Sequence, residues 1–162
     1  MKILMDALEE YFGDDIKRIN HAKKVMYFAE ELLKGEEADR DIVIPASILH
    51  DIGIKNAEQK YGSAAAHYQE IEGPPIARTI LFNCGFEKEA VDEICGIIGH
   101  HHSPGKINTL NFKVLYDADW LVNLKDEFDI KDKKRLRVII DRVFLTRAGK
   151  RLAEQIYLKG GY

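Results

Sequence analysis

Apolar residues recur every three to four positions along almost the whole chain, which is the spacing of one face of an α-helix. The alternation of apolar and polar residues that is typical of strands is absent from the sequence. Asp14 or Asp15 can cap one such helix, and Gly35 can end it. Its apolar positions share one face: Ile16, Ile19, Val25, Phe28, Ala29, Leu32 and Leu33. The pattern predicts an all-α fold.

Capping and breaking residues divide this pattern into successive helices. Gly73-Pro74-Pro75 is expected to end one helix and to start another at Pro75, because proline is favoured at the first helical position. A bend is expected over residues 146–149. The predicted helices cover residues 2–12, 14–35, 39–51, 64–68, 75–84, 87–102 and 112–122, followed by one long helix or two over residues 132–158.

Length and composition indicate an ordinary soluble domain. The 162 residues suit a single domain over 1–162, with a core at about 14–124 and a helical extension at about 130–160. Apolar residues make up 46%, which is enough for a core, and the net charge of −3 argues against a nucleic-acid binder. The two cysteines are expected to be free thiols. The apolar start is too short for a signal peptide, and no apolar run is long enough to span a membrane, so a cytoplasmic protein is expected.

Several histidines and acids fall on the inward faces of these helices. His50 and Asp51 close the apolar run 42–49, and Asp119 lies within the apolar run 112–122. Separate buried imidazoles and carboxylates would each need a partner of their own, whereas one metal centre would satisfy most of them together. The candidate ligands are His21, His50, Asp51, His67, His101, His102 and Asp119.

Four of these residues occur in the order H…HD…D, in contexts that resemble the HD superfamily of metal-dependent phosphohydrolases. The resemblance extends from about Asp14 to Leu124 and rests on the segments 18–21, 47–53 and 116–121. It implies an all-α helical bundle that holds a metal between its central helices. The ligands it implies are His21, His50, Asp51 and Asp119, and Asp117 remains an alternative to Asp119.

Further histidines resemble a histidine-enriched branch of that superfamily, in which extra histidines bind a second metal. His67 and the pair His101-His102 occupy comparable places, and His100 is expected to face solvent. The branch includes cyclic-dinucleotide phosphodiesterases with a Gly-Tyr-Pro tripeptide after the histidines. Ser103-Pro104-Gly105 stands at that place here, which argues against cyclic-di-GMP as the substrate.

The resemblance implies hydrolysis of a phosphate ester, with a nucleotide as the expected substrate, by a metal-activated water. Ligands of this type suit Fe, Mn, Zn, Ni or Co, as one ion or two. Asp51 would bind the metal and orient the water, and Arg18 and Lys55 are the candidate cations for the phosphate. The alternatives are a metal-binding sensor without turnover and, as a weaker one, a di-iron oxygenase.

Positive charge is concentrated near the C-terminus. Residues 131–151 hold nine Lys or Arg and two Asp, a balance of 9 − 2 = +7, so the rest of the chain carries −10. A solvated helix face is the default interpretation, and the alternatives are a phosphate-rich partner or the acidic surface of a second subunit in a homodimer. No membrane partner is expected.

Overall fold

The computed structural model describes residues 1–160, and its regular structure over that range is helical throughout, as the pattern predicts. Within this range no strand occurs. The elements are α1 Lys2–Phe12, α2 Ile16–Leu33, α3 Arg40–Leu49, α4 Ile54–Tyr61, α5 Ala66–Asn83, α6 Lys88–Ile98, α7 Leu110–Glu127, α8 Lys133–Val143 and α9 Arg147–Ala153, with a π-helical turn at Glu154–Leu158.

Helix α3 lies at the centre of the bundle. It packs against α2, α6 and α7, and α2 also packs against α7. Every residue from Ile42 to Leu49 is buried, so the helix is enclosed on all sides. Asp39 caps its start by accepting a hydrogen bond from the backbone N–H of Asp41. The chain emerging from this buried helix therefore delivers residues 50 and 51 to the interior.

The helix boundary predicted at Gly73-Pro74-Pro75 is wrong, because α5 runs through these residues without a break. The two prolines remove backbone N–H groups from the helix, which normally kinks or ends it. Packing overrides this preference. A Cβ on Gly53 would lie 2.6 Å from the Gly73 nitrogen, so the two glycines allow α5 to lie directly against the chain between α3 and α4.

The sequence pattern also does not predict α4, and the remaining departures lie at helix ends. Helix α6 ends at Ile98, and residues 100–102 form a turn instead of a last helical turn. The C-terminal segment forms two helices that meet at Thr146, which caps α9. The expected bend there is confirmed. Among the described helices, none combines the length and apolar character that crossing a membrane requires.

Candidate metal centre

Four side chains from three parts of the bundle converge on one point. His21 comes from α2, His50 and Asp51 follow α3, and Asp119 lies in α7. The His21 Nε2 atom lies 3.2 Å from His50 Nε2 and 3.1 Å from Asp119 Oδ1. Asp51 Oδ2 lies 3.5 Å from His21 Nε2 and 3.4 Å from His50 Nε2. We call these four residues the first donor group.

Helix phase explains why these residues meet. His21 precedes the buried residue Val25 by one turn, so both face α3 and α7. Asp119 lies in a helix that is buried on most sides, between buried Ala118 and Leu121. His50 is fully buried at the end of α3. The resulting convergence agrees with the sequence-based choice of ligands.

Backbone carbonyl groups fix the tautomers of two buried histidines. The Nδ1 atom of His50 lies 2.8 Å from the Ser47 carbonyl oxygen, and that of His101 lies 2.7 Å from the Ile98 carbonyl oxygen. Only a protonated Nδ1 can donate to a carbonyl oxygen, so each neutral ring presents the Nε2 lone pair to the site. This outer hydrogen bond is the usual way in which a metal-ligating histidine is oriented.

A second donor group shares one carboxylate with the first. Asp51, His101 and His102 lie close enough to hold an ion together. The Oδ1 atom of Asp51 lies 3.5 Å from His101 Nε2, whereas its Oδ2 atom faces His21 and His50. Asp51 therefore stands between the two groups and offers one oxygen to each.

The donor atoms fit a divalent ion. Around an ion with ligands at about 2.1 Å, donor atoms are separated by about 3.0 Å in an octahedron and about 3.4 Å in a tetrahedron. The contacts in the first donor group, from 3.1 to 3.5 Å, match this range. In addition, His101 Nε2 is buried without a hydrogen-bond partner among the described residues, and its lone pair faces a carboxylate oxygen. A cation between these atoms would satisfy both.

The pKa shifts of the metal-free site show how burial and neighbouring charges act against each other. Burial by itself lowers the pKa of His50, but Asp51 and Asp119 raise it well above the ordinary value. Burial raises the pKa of Asp51, yet His50 and His101 lower it well below its usual range. Burial likewise opposes ionisation of Asp119, and the neighbouring His50 and His21 lower its pKa. The site thus stabilises positive charge beside two ionised carboxylates.

The structure separates the two acids that the sequence left open. Asp117 faces away from the donor groups and accepts hydrogen bonds from the backbone N–H groups of Leu145 and Thr146, both at 2.8 Å, and from the Thr146 hydroxyl group at 2.7 Å. Asp119 faces the first donor group, where Asn123 donates to its Oδ1 atom at 2.8 Å. Asp119 is the ligand candidate, and Asp117 ties α7 to the start of α9.

Two expected site residues do not reach the donor groups. His67 lies in the exposed first turn of α5, with its ring against Tyr68. Lys55 donates to the Tyr11 carbonyl oxygen at 3.0 Å and lies over the Tyr11 ring, on the side of α1. The structure therefore corrects both assignments. Lys55 follows Asp51 by four positions, but the chain turns between α3 and α4, so helical spacing does not bring the two side chains together.

The remaining expected residues lie at the opening of the site. Arg18 lines the cavity, but its guanidinium group is already paired with Asp15 at 2.5 Å and Glu58 at 2.6 Å. His102 is exposed at the cavity wall, yet partial desolvation of its ring and the neighbouring His101 lower its pKa to about 4, so the ring is neutral at pH 7. His100 is half-buried and its Nδ1 atom lies 2.9 Å from the Gly96 carbonyl oxygen.

Three further residues near the site were not predicted from the sequence. Gln69 donates to the Ala64 carbonyl oxygen at 2.6 Å, so its own Oε1 atom faces His102 Nε2 at 3.2 Å. Asn123 bonds Asp119, as described above, and Lys17 lines the cavity one turn before His21. The spacing of four positions between Lys17 and His21 could have predicted that both face the site, whereas the other two are polar residues with no distinctive pattern.

The donor groups open into solvent-accessible space. A cavity of about 480 Å³ contains His21, Asp51, His102 and Asp119 in its wall. A neighbouring cavity of about 310 Å³ shares His21 and is bordered by three lysines, Lys17, Lys24 and Lys125. Among residues 1–160, Lys17 has no ion-pair partner. Water and an anionic ligand can therefore reach the candidate metal centre.

Comparisons with known proteins agree with this description. Residues 18–124 match the HD domain family. The chain also resembles a crystal structure described as a "predicted HD superfamily hydrolase" from an uncultured Thermotogales bacterium, with 28% identity and a TM-score of 0.73 over 99% of this chain and 86% of that one. A search of curated proteins gave no match. Because the matched region spans both donor groups and most of the chain, the protein belongs to the HD domain family.

Proposed function

We propose that the protein is a metal-dependent phosphohydrolase that cleaves a phosphate ester, with a nucleotide as substrate. One observation carries the proposal: donor atoms from α2, α3 and α7 converge within 3.1–3.5 Å of one another at the wall of a solvent-accessible cavity. These residues would hold a divalent ion, which would lower the pKa of a water molecule and polarise a phosphoryl oxygen. Membership of the HD domain family supports the same class of hydrolase.

Different residues around the donor groups would bind the phosphate and orient the water. Lys17, Lys24 and Lys125 line the space beside His21 together with Asp126, so positive charge exceeds negative charge there, which suits phosphate oxygens. Arg18 can contribute only where a phosphate competes with Asp15 and Glu58 for its guanidinium group. Asp51, held by histidines on both of its oxygens, would bind the metal and orient the attacking water.

The second donor group supports binding of a second divalent ion. Its donors would be the Asp51 Oδ1 atom, the unpartnered Nε2 atom of His101, and His102. Gln69 Oε1 requires a proton on His102 Nε2, so the lone pair of the neutral His102 ring is on Nδ1. We expect this second ion to bind more weakly than the first, since fewer charged donors surround it.

The decisive experiment combines metal analysis with a phosphatase screen. We expect purified protein to retain a divalent metal, which His50→Ala and Asp51→Ala lose. His101→Ala should reduce the metal content towards one ion per chain, and His67→Ala, a matched control at an exposed position, should change nothing. A panel of nucleotides and simple phosphate esters, assayed with Mn²⁺, Fe²⁺, Zn²⁺, Ni²⁺ or Co²⁺ under anaerobic conditions, should show hydrolysis that chelator abolishes.

Two outcomes would overturn the proposal. Full metal retention in both His50→Ala and Asp51→Ala would contradict the site, and hydrolysis that persists after chelation would contradict the mechanism. Tight binding of a phosphate compound without turnover across the whole panel would instead identify a metal-binding sensor.

A further inference from the structure

One face of α7 extends the candidate metal centre into a second cavity. Tyr116, the neighbours Asp119 and Trp120, Asn123 and Glu127 recur at intervals of three or four positions, so they form one stripe on the helix. Together with His101 and His102, they line a cavity of about 240 Å³. Because this cavity contains Asp119 and His101, a group bound there lies directly beside the donor groups.

The walls of this cavity combine aromatic rings with hydrogen-bond acceptors. Trp120 is half-buried, and Phe128 stacks on it with ring centroids 5.9 Å apart and planes inclined by 24°. Tyr116 lies one turn away from Trp120, with centroids 6.4 Å apart. Phe128 and Tyr116 thus pack against the indole ring, and Trp120 still lines the cavity.

The acceptors lie one and two turns further along the helix. Asn123 uses its amide N–H to bond Asp119, which leaves its carbonyl oxygen as an acceptor. The Glu127 side chain is exposed and has no hydrogen-bond or ion-pair partner within residues 1–160, and it borders both this cavity and the larger one. Both groups accept hydrogen bonds from a ligand, so they suit hydroxyl donors.

We propose that Tyr116, Trp120, Asn123 and Glu127 form a ring subsite that selects the alcohol portion of the substrate. The inference rests on the proposed phosphohydrolase function and deepens it. The ligand it fits is a phosphate ester whose alcohol carries a planar ring and free hydroxyl groups, as a nucleoside does. The ring stacks on Trp120, and Glu127 and Asn123 accept hydrogen bonds from the hydroxyl groups.

The size of the cavity limits the ligand. At about 30 Å³ for each water molecule, 240 Å³ corresponds to about eight waters. This is room for one ring system. The subsite therefore suits a single ring of the ligand.

Trp120 is the single tryptophan of the chain, so its fluorescence reports on this cavity alone. The probe is the phosphonate analogue of adenosine 5′-phosphate, in which a CH₂ group replaces the ester oxygen and prevents hydrolysis. Titrated into the metal-loaded protein, it should quench the tryptophan emission. Propylphosphonate, which has the same charged group without the ring, should bind the metal centre with little quenching. Equal quenching by the two probes would overturn the subsite.

Kinetic selectivity supplies an independent test. In Trp120→Leu the ratio of kcat/KM for adenosine 5′-phosphate to that for glycerol 1-phosphate should fall by about 5- to 140-fold, through KM, because stacking on an aromatic side chain is lost. Trp120→Phe should recover most of the ratio. Glu127→Ala should reduce the preference for ribose over 2′,3′-dideoxyribose esters about tenfold or more. Phe82→Leu removes an exposed ring from α5, outside both cavities, and should leave all ratios unchanged.

The outcomes distinguish this inference from the proposed function. Ring-dependent quenching without turnover of any ester would support the subsite and overturn the phosphohydrolase. Chelator-sensitive hydrolysis with an unchanged ratio in Trp120→Leu would support the phosphohydrolase and overturn the subsite.

Discussion

At the scale of single residues, the site depends on which polar groups have partners. Asp117 and Asp119 lie two residues apart on α7, yet their carboxylates have opposite surroundings. Asp117 is satisfied by three hydrogen bonds from Leu145 and Thr146. Asp119 faces two imidazoles. The same residue type is therefore structural at one position and a candidate metal ligand at the other.

A matched pair of variants tests this division. Asp119→Ala should remove most of the bound metal. Asp117→Ala should retain the metal but lower the free energy of unfolding by about 1–3 kcal/mol, because it leaves buried N–H donors without an acceptor. Metal content by mass spectrometry and urea unfolding of the chelated proteins measure the two effects. Loss of the metal in Asp117→Ala and its retention in Asp119→Ala would show that Asp117 is the ligand.

Protons and metal should compete for the first donor group. Because Asp51 and Asp119 outweigh the effect of burial and raise the pKa of His50, the metal-free ring carries a proton on Nε2 near neutral pH. This proton stabilises the metal-free protein fully below about pH 6.5, and the stabilisation is lost as the pH rises through the raised pKa of the folded state. Metal binding must displace the proton.

We therefore expect metal binding to release about one proton and to weaken about tenfold for each pH unit below the pKa of His50. Calorimetric titrations in two buffers of different ionisation enthalpy measure the released protons. Identical heats in both buffers would show that the ring is neutral before binding. His67→Ala, which leaves the donor groups intact, should release the same number of protons as the unchanged protein.

The sequence predicted the four residues of the first donor group because each lies in, or directly after, a helix whose apolar residues place it in the core. The prediction was wrong for residues that lie beyond a turn or at a helix end, where helical spacing no longer fixes the direction of a side chain. Lys55 follows the turn between α3 and α4, and His67 occupies the first turn of α5, where its phase relative to the core is weakly determined. Gln69, two residues later, is the buried residue that reaches His102.

At the scale of elements, α5 shows how tertiary packing overrides local preference. Gly73-Pro74-Pro75 indicates a helix boundary in any single sequence, but the observed helix continues for eight residues beyond Pro75, to Asn83. Its reason for continuing is the close contact between Gly53 and Gly73, which lie 20 positions apart in the sequence. Sequence periodicity contains no information on such a contact.

Adding a methyl group to this contact should be costly. The Cβ of Gly53→Ala would lie 2.5 Å from the Gln69 carbonyl oxygen, which belongs to the backbone and cannot move independently. We expect a loss of about 1–3 kcal/mol, as for other overpacked sites. Gly96→Ala in α6 is the control, because its Cβ would meet only Ile107 at 3.7 Å, and it should stabilise by about 0.5–1 kcal/mol. Thermal unfolding measures both, and equal effects would contradict the packing argument.

The turn after α6 depends on a carboxylate supplied by α5. Glu70 accepts a hydrogen bond from the His102 backbone N–H and another from the Ser103 hydroxyl group, each at 3.0 Å. Glu70→Ala should loosen the turn and weaken the second donor group, lowering the metal content towards one ion per chain. Glu89→Ala, an exposed acid on α6, should keep the full content. Loss of the first ion along with the second would show that Glu70 supports the whole fold instead.

At the scale of the whole molecule, the donor groups connect elements that are distant in sequence. His21 and Asp119 lie 98 positions apart, and the contact between them joins α2 to α7 across the centre of the bundle. The second donor group adds the turn after α6 to the same centre. A bound ion would therefore crosslink most of the core helices, and its binding energy would contribute to the stability of the folded chain.

Chelation should consequently lower the melting temperature of the whole protein in a single transition. An ion present at 100 times its Kd adds about 2.7 kcal/mol, which corresponds to about 5–11 °C for a chain of this size. His50→Ala should abolish this difference between metal-loaded and chelated protein, whereas Lys55→Ala, which lies on the far side of α4, should preserve it. Differential scanning calorimetry with added metal and with chelator measures the shift. An unchanged melting temperature would mean that no ion binds the folded chain in preference to the unfolded one, and the helices would then hold the donor atoms together without help from a cation.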